Sequence, residues 1–170
     1  DFCLSRGLGD VYKRQVLIRP IRAEDRERER AFVERLSQVS RHYRFLGAIR
    51  GLDAAMLDRA VDVEEPQSCA YIALVHEDGG LREVGVSRYG DAGDGRCECA
   101  VTVADDWQGR GLGVALMRHL IVAARRNGYR SMYSLDAASN EPMRELAAFL
   151  GFRRERDPGD ATLVVHTLDL

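Results

Sequence analysis

No apolar run in this 170-residue chain approaches the length of a membrane-crossing helix, so no membrane partner is expected. Charge of one sign is also lacking. The 25 lysines and arginines face 27 aspartates and glutamates, a net charge of −2 that leaves no nucleic-acid or membrane-surface footprint. The four cysteines, Cys3, Cys69, Cys97 and Cys99, form neither a disulfide framework nor a zinc site. Cys97 and Cys99 lie two apart on a predicted strand and share one face as small hydrophobes. His42, His76, His119 and His166 have no ligand spacing, so no metal is expected. A reducing cytoplasm is the expected compartment. No internal repeat or low-complexity linker interrupts the chain, and its length suits one domain with a proper core.

Lysine is nearly absent. Lys13 is the only one, and elsewhere the basic residue is arginine, as a GC-rich genome favours. Lys13 lies in Asp10-Val11-Tyr12-Lys13-Arg14-Gln15, which a common transposon-derived sequencing adapter encodes when read in frame. Residues 1–15 are therefore expected to be a read-through artefact outside the fold, with the native N-terminus and any domain fused there missing. This segment lacks the continuous apolar stretch of a signal peptide. Residues 16–170 are assigned to the single domain.

What the chain does have is a distinctive stretch over residues 101–120, Val-Thr-Val-Ala-Asp-Asp-Trp-Gln-Gly-Arg-Gly-Leu-Gly-Val-Ala-Leu-Met-Arg-His-Leu. A β-branched run leads into a glycine-dense turn, and an amphipathic helix opens directly from the turn. Gly109, Gly111 and Gly113 leave backbone N–H groups unshielded where a helix N-terminus concentrates positive charge. The junction is either a phosphate site or a plain strand–turn–helix corner. A dinucleotide G-x-G-x-x-G fails, because Val114 or Leu116 stands where the third glycine belongs, and the Gly-Lys-Ser/Thr of a P-loop is absent. Gln-x-x-Gly-x-Gly fits, as Gln108, Gly111 and Gly113.

Strands are predicted over residues 16–21, 69–75, 84–89, 96–103, 130–135, 152–155 and 162–168, and helices over 23–37, 40–45, 52–61, 111–126 and 140–150. Pro20 ends the first strand or sets it at a sheet edge. Asp78-Gly79-Gly80 signals a hairpin, Asn127-Gly128 and Gly151 stop helices, and Asp157-Pro158-Gly159-Asp160 turns the last hairpin. This order implies a mixed α/β sheet. Within it, Glu98 is a lone carboxylate facing away from Cys97, Cys99, Val101 and Val103. It reads as a base whose pKa burial would raise, or as a strand glutamate meeting solvent or an arginine. Asp105 and Asp106 read as turn or capping residues. In Ser40-Arg41-His42-Tyr43-Arg44-Phe45, two arginines beside aromatics either select an acidic or planar acceptor or cover a core edge with their stems.

Ala104-Asp105-Asp106-Trp107-Gln108-Gly109-Arg110-Gly111-Leu112-Gly113 resembles motif A of the GNAT superfamily of acyl-CoA N-acyltransferases, and the likeness runs from about Val16 to the C-terminus. The resemblance implies a GNAT fold: a central mixed, mostly antiparallel sheet flanked by helices and splayed beside the motif A strand. It implies acetyl-CoA as cosubstrate, with pantetheine in the gap. The N–H groups of Gln108, Gly109, Arg110, Gly111, Leu112, Gly113 and Val114 would hold the pyrophosphate, and Arg110 would add charge unless it is a solvated turn arginine. Val101, Thr102 and Val103 would pair with the pantetheine amides like an added strand, one N–H polarising the thioester. Asn140 matches the family's pantetheine-contacting asparagine, although it is equally good as an N-cap.

Glu98 falls where bacterial Pat-type protein lysine acetyltransferases carry their catalytic glutamate, and those proteins carry a Ser-Arg-x-x-Arg-Phe similar to residues 40–45. An amine of pKa about 10.4 must lose a proton before it attacks, so a base is required. The implied reaction is direct acetyl transfer to a primary amine, a protein lysine on an enzyme such as an acyl-CoA synthetase. The alternatives are a small amine, amino acid or antibiotic as acceptor, and a non-catalytic acyl-CoA sensor. One departure stands out. Many members place a general-acid tyrosine four residues before the last Gly-Phe, but here Ala147 precedes Gly151-Phe152. The thiolate would leave unassisted or take a proton from water, Ser139 or another group. Tyr133 is assigned to packing.

Overall fold

The structure, a computed structural model, describes residues 15–46 and 51–170. The expectation of an adapter peptide therefore falls outside the described residues, apart from Gln15. Seven strands, β1 (Val16–Pro20), β2 (Ser68–Glu77), β3 (Gly80–Gly93), β4 (Arg96–Val103), β5 (Ser131–Ala137), β6 (Arg153–Arg156) and β7 (Leu163–Asp169), make one sheet in the order β1-β2-β3-β4-β5-β7-β6. All pairings are antiparallel except β4 with β5. The helices are α1 (Arg26–Arg35), α2 (Gln38–Phe45), α3 (Ala54–Val61), α4 (Leu112–Arg126) and α5 (Glu141–Phe149).

The helices form two layers. On one face α4 and α5 pack Met117, Leu120 and Ala147 against Cys97, Cys99 and Met132. The buried positions of α4, among them Leu112, Leu116, Leu120 and Ala124, recur with helical spacing. Fully burying each of its larger apolar side chains contributes about 1.5–3 kcal/mol. α4 crosses the sheet so closely that a Cβ on Gly85 would lie 2.9 Å from Leu116 Cδ1. On the other face, Phe32, Val33 and Val61 from α1 and α3 cover Ile72, Leu74 and Val86.

Two predicted elements change. The helix expected over residues 23–37 is a 3-10 turn at Ala23–Asp25, then α1, then an extended Leu36 (φ −62°, ψ 143°). Local bonding accounts for this. The Asp25 carboxylate accepts from the Arg22 N–H at 2.9 Å and from Arg19 and Arg28 at 2.7 Å, which fixes the entry turn. The Ser37 hydroxyl caps α2 by accepting from the Ser40 N–H at 3.1 Å, so a new helix must start there. The strand expected over residues 84–89 is the longer β3, because pairing with β2 and β4 on both sides overrides the weak strand preference of its glycines and charged residues. The turn before it has Asp78 at φ 51° and Gly79 at φ 78°, the two positive values a tight hairpin requires.

One irregularity positions the functional site. β4 and β5 pair only at Arg96–Ser131, Cys97–Met132 and Glu98–Tyr133. Beyond them β4 stays with β3 as far as Val103, while β5 stays with β7 as far as Ala137, and the two strands part.

Candidate active site

The parting strands open a cleft of about 850 Å³. Residues 98–103 form one wall, Leu135, Asp136 and α5 the other, and Gly111, Leu112, Gly113 and Val114 close one end. α2 borders it through Ser40, Tyr43 and Arg44.

The closed end is built from backbone. Gly109 and Gly111 have φ of 71° and 81°, left-handed values that cost an L-residue roughly 1–2 kcal/mol. Gly111 is the N-cap of α4, and no side chain caps it. The first intrahelical bond runs from the Ala115 N–H to the Gly111 carbonyl at 3.1 Å, so the N–H groups of Leu112, Gly113 and Val114 lie ahead of the helical ladder. A Cβ on Gly109 or Gly111 would meet nothing within 4 Å. The arrangement is an open, positively polarised donor array suited to a phosphate or diphosphate.

Side chains brace this turn. Gln108 Nε2 donates to the Val103 carbonyl at 3.1 Å and to Ser40 Oγ at 3.3 Å, tying the turn to β4 and α2. Asp105 accepts from the Ser37 N–H at 2.9 Å and from the Ser37 and Ser40 hydroxyls at 2.7 Å each, and Asp106 pairs with Arg82. Both aspartates are thus the turn residues predicted. The Arg110 guanidinium lies 5.1 Å from the Trp107 ring centroid, a cation–π contact at the rim of the turn.

Val101 and Val103 pack their side chains toward α4 and leave their backbone along the cleft, where β4 keeps β3 on one side and has no strand partner on the other. Thr102 turns its side chain to the opposite face, and its buried hydroxyl has no partner among the described residues. Glu98 lines the cleft where the strands begin to separate, and its side chain is exposed. The expected burial of this carboxylate does not hold, because β5 departs immediately after the Glu98–Tyr133 pair and leaves the space over Glu98 open. Burial first, and then the Glu98 charge, push the Tyr133 phenol above its usual range. Arg96 lies 5.8 Å from the Tyr133 ring, so this tyrosine belongs to the packing beside the apex.

Asn140 reaches the cleft while its Oδ1 accepts from the Met143 N–H at 3.2 Å, so the capping role is realised. Ala147, 1% exposed, is sealed into the core under α5, and nothing at that position projects into the cleft. Two features went unrecognised in the sequence. Tyr43 lines the cleft and donates its hydroxyl to the Ser139 carbonyl at 3.2 Å, bridging α2 to the turn before α5. The buried His166 Nδ1 lies 2.8 Å from Asp136 Oδ2, which also accepts from the Ser134 hydroxyl at 2.6 Å. Alternation along β5 could have paired Ser134 with Asp136, but no local signal connects either to His166.

Residues 33–152 match the acetyltransferase (GNAT) family. An acetyltransferase from Pseudomonas aeruginosa is 60% identical over 158 residues, spanning 92% of this chain and 85% of that protein. The crystal structure of the GNAT domain of S. lividans PAT superposes with a TM-score of 0.82 at 27% identity, covering 90% of this chain and 89% of the other. A cAMP-binding acyltransferase from Mycobacterium smegmatis aligns with a TM-score of 0.61 at 25% identity, over 91% of this chain and 43% of its own.

Proposed function

This chain belongs to the acetyltransferase (GNAT) family, and from that premise we propose that it moves an acetyl group from acetyl-CoA directly to a primary amine, with Glu98 as general base. The observation that carries the proposal is the three-residue pairing of β4 with β5, which opens a cleft ending on the free N–H groups of α4. Its volume lies within the roughly 300–1,000 Å³ of cofactor pockets.

The residues fit such a cosubstrate without rearrangement. The N–H groups of residues 108–114 would take the diphosphate, with Arg110 adding positive charge from the rim. The unpaired edge of Val101, Thr102 and Val103 would hold the pantetheine amides as an added strand, and Asn140 would contact the same arm while capping α5. When bound, acetyl-CoA supplies a thioester whose carbonyl one β4 N–H would polarise. Glu98 accepts a proton from the acceptor ammonium, freeing the lone pair of the amine. The new C–N bond forms as the C–S bond breaks, the second amine proton is shed to water while Glu98 holds the first, and the sulfur leaves as thiolate. Ala147 offers no acid, so water protonates the thiolate. Ser139 stands outside the cleft lining, with its carbonyl engaged by Tyr43.

The acceptor in this reading is a protein lysine, as on an acyl-CoA synthetase, supported by the likeness to the PAT domain; the compartment is a bacterial cytoplasm. Thiol release from acetyl-CoA with an amine panel tests the assignment. Glu98→Gln should keep CoA affinity and lose roughly 10²–10⁴-fold in turnover. Full turnover in that variant overturns Glu98 as base. Undiminished CoA binding with no transfer by either protein would favour an acyl-CoA sensor.

A further inference from the structure

A second cavity of about 280 Å³ lies behind β4, on the face that carries Glu98 and Thr102. Arg44, Phe45 and Thr102 line both this chamber and the cleft, so the two spaces adjoin at these residues. Phe32 and Met56 make part of its lining apolar. Among the described residues its lining carries three buried polar atoms without partners, the donors Thr102 Oγ1 and Arg88 Nε and the acceptor Glu29 Oε2. Thr102 is 8% exposed, and its hydroxyl has no partner among the described residues. Arg88 binds Glu29 Oε1 at 3.0 Å and the Ala60 carbonyl at 3.2 Å, which leaves its buried Nε–H without an acceptor. Arg44 makes no hydrogen bond or ion pair with any described residue. Its guanidinium sits 4.9 Å from the Phe45 ring.

Among the described residues Glu29 is the only acid lining the chamber, and Arg88 pairs with one of its two oxygens. It lies beside Glu83, whose carboxyl is pushed well above the usual range by burial and then by the Glu29 charge. Arg44 is lowered to about 10 by burial and by Arg88, and still carries its charge at neutral pH. The chamber therefore holds a cation that feels Glu29 and Glu98 but pairs directly with neither, beside two unmatched donors in a partly apolar setting. Leaving a buried donor unpaired is costly, and an anion seated there would relieve that cost.

The geometry points to this chamber as the seat of a carboxylate carried by the same molecule as the acceptor amine, held by Arg44, the Nε–H of Arg88 and the Thr102 hydroxyl. The inference rests on Glu98 being the base of the transfer proposed above. Glu98 and Thr102 are four residues apart on one strand face, about 13 Å at the usual rise. The amine and the acid must therefore stand well apart, as in an ω-amino acid or in a peptide lysine with aspartate or glutamate beside it.

Acetyl transfer to 5-aminovalerate against pentylamine, and to lysine peptides with a neighbouring glutamate against glutamine, tests this. In at least one pair the acidic acceptor should be favoured about tenfold or more in kcat/KM, as a charge-assisted contact predicts. Arg44→Gln should bring that ratio close to one, Arg44→Lys should keep most of it, and Thr102→Val should lower it less. Preference in the amino-acid pair identifies a small-molecule acceptor, and preference in the peptide pair a protein. A wild-type ratio of one in both pairs, or a ratio that survives Arg44→Gln in folded protein, overturns the inference. If no amine is acetylated, the transferase reading fails, and calorimetric titration with 5-aminovalerate decides the chamber separately. Binding at least tenfold tighter to wild type than to Arg44→Gln supports it, and equal or absent binding overturns it.

Discussion

Replacing Gly113 by alanine should make the protein more stable and its cosubstrate weaker-bound. Gly113 is the second residue of α4. An added Cβ would lie 3.4 Å from Leu146 Cδ2 and 3.8 Å from Leu146 Cδ1 and Val103 Cγ2, all ordinary contacts. With no clash, removing a helical glycine should contribute about 0.5–1 kcal/mol. For a domain of this size, that corresponds to a rise of about 1–4 °C in Tm. Leu146 and Val103 both line the cleft, so the same methyl enters the space where the N–H groups of Leu112, Gly113 and Val114 converge. Losing one charge-assisted bond to a phosphate costs about 1.5–3 kcal/mol, a roughly ten- to hundredfold weaker Kd. Thermal unfolding with and without CoA, together with calorimetric titration, reads both effects. A variant that gains stability and binds CoA as tightly as wild type would refute the phosphate assignment. One that loses stability would refute the packing argument.

Asp25→Ala strands the guanidiniums of Arg19 and Arg28, and breaking such a buried pair should cost about 3–5 kcal/mol in chemical denaturation. Burial works to raise the Asp25 carboxyl, but its bonds to Arg19 and Arg22 prevail and hold it below the usual 3.8. Its contribution is therefore present above that value and fades as the pH falls through the lower folded one. In wild type, acid unfolding should accordingly begin below pH 4, and Asp25→Ala should lose that component. Glu83 behaves in the opposite way. Its folded value is raised, so its contribution is full below about 4.5 and declines as the pH climbs toward the folded value. Glu83→Gln should flatten that decline and raise Tm at pH 8 relative to wild type. A Tm that falls equally at pH 5 and pH 8 would count against a proton on Glu83.

Much of the cleft was legible because its features are local. β4 has the predicted bounds, and α4 begins where the glycine spacing placed it, since turn chemistry and helical periodicity act within a few residues. Two buried acids carried no signal in the sequence. Glu29 and Glu83 are buried because strand pairing and α1 packing bring together positions far apart in the chain. Glu98 departed in the reverse sense: an apolar strand context suggested cover, but exposure there depends on where β5 leaves. The Tyr43–Ser139 bridge spans 96 positions, and no periodicity encodes it.

Sheet margins usually invite pairing with other chains, and this fold guards its outer two. Pro20 lies at the end of β1, and β6 presents the exposed run Arg153-Arg154-Glu155-Arg156. The margin released along β4 needs no such guard. It is recessed between α2, α4 and α5, so in the proposed reading a slender polyamide arm would zip onto it while a foreign strand with side chains on both faces would be kept out. The domain thereby keeps an adhesive backbone seat at its centre without exposing it to aggregation.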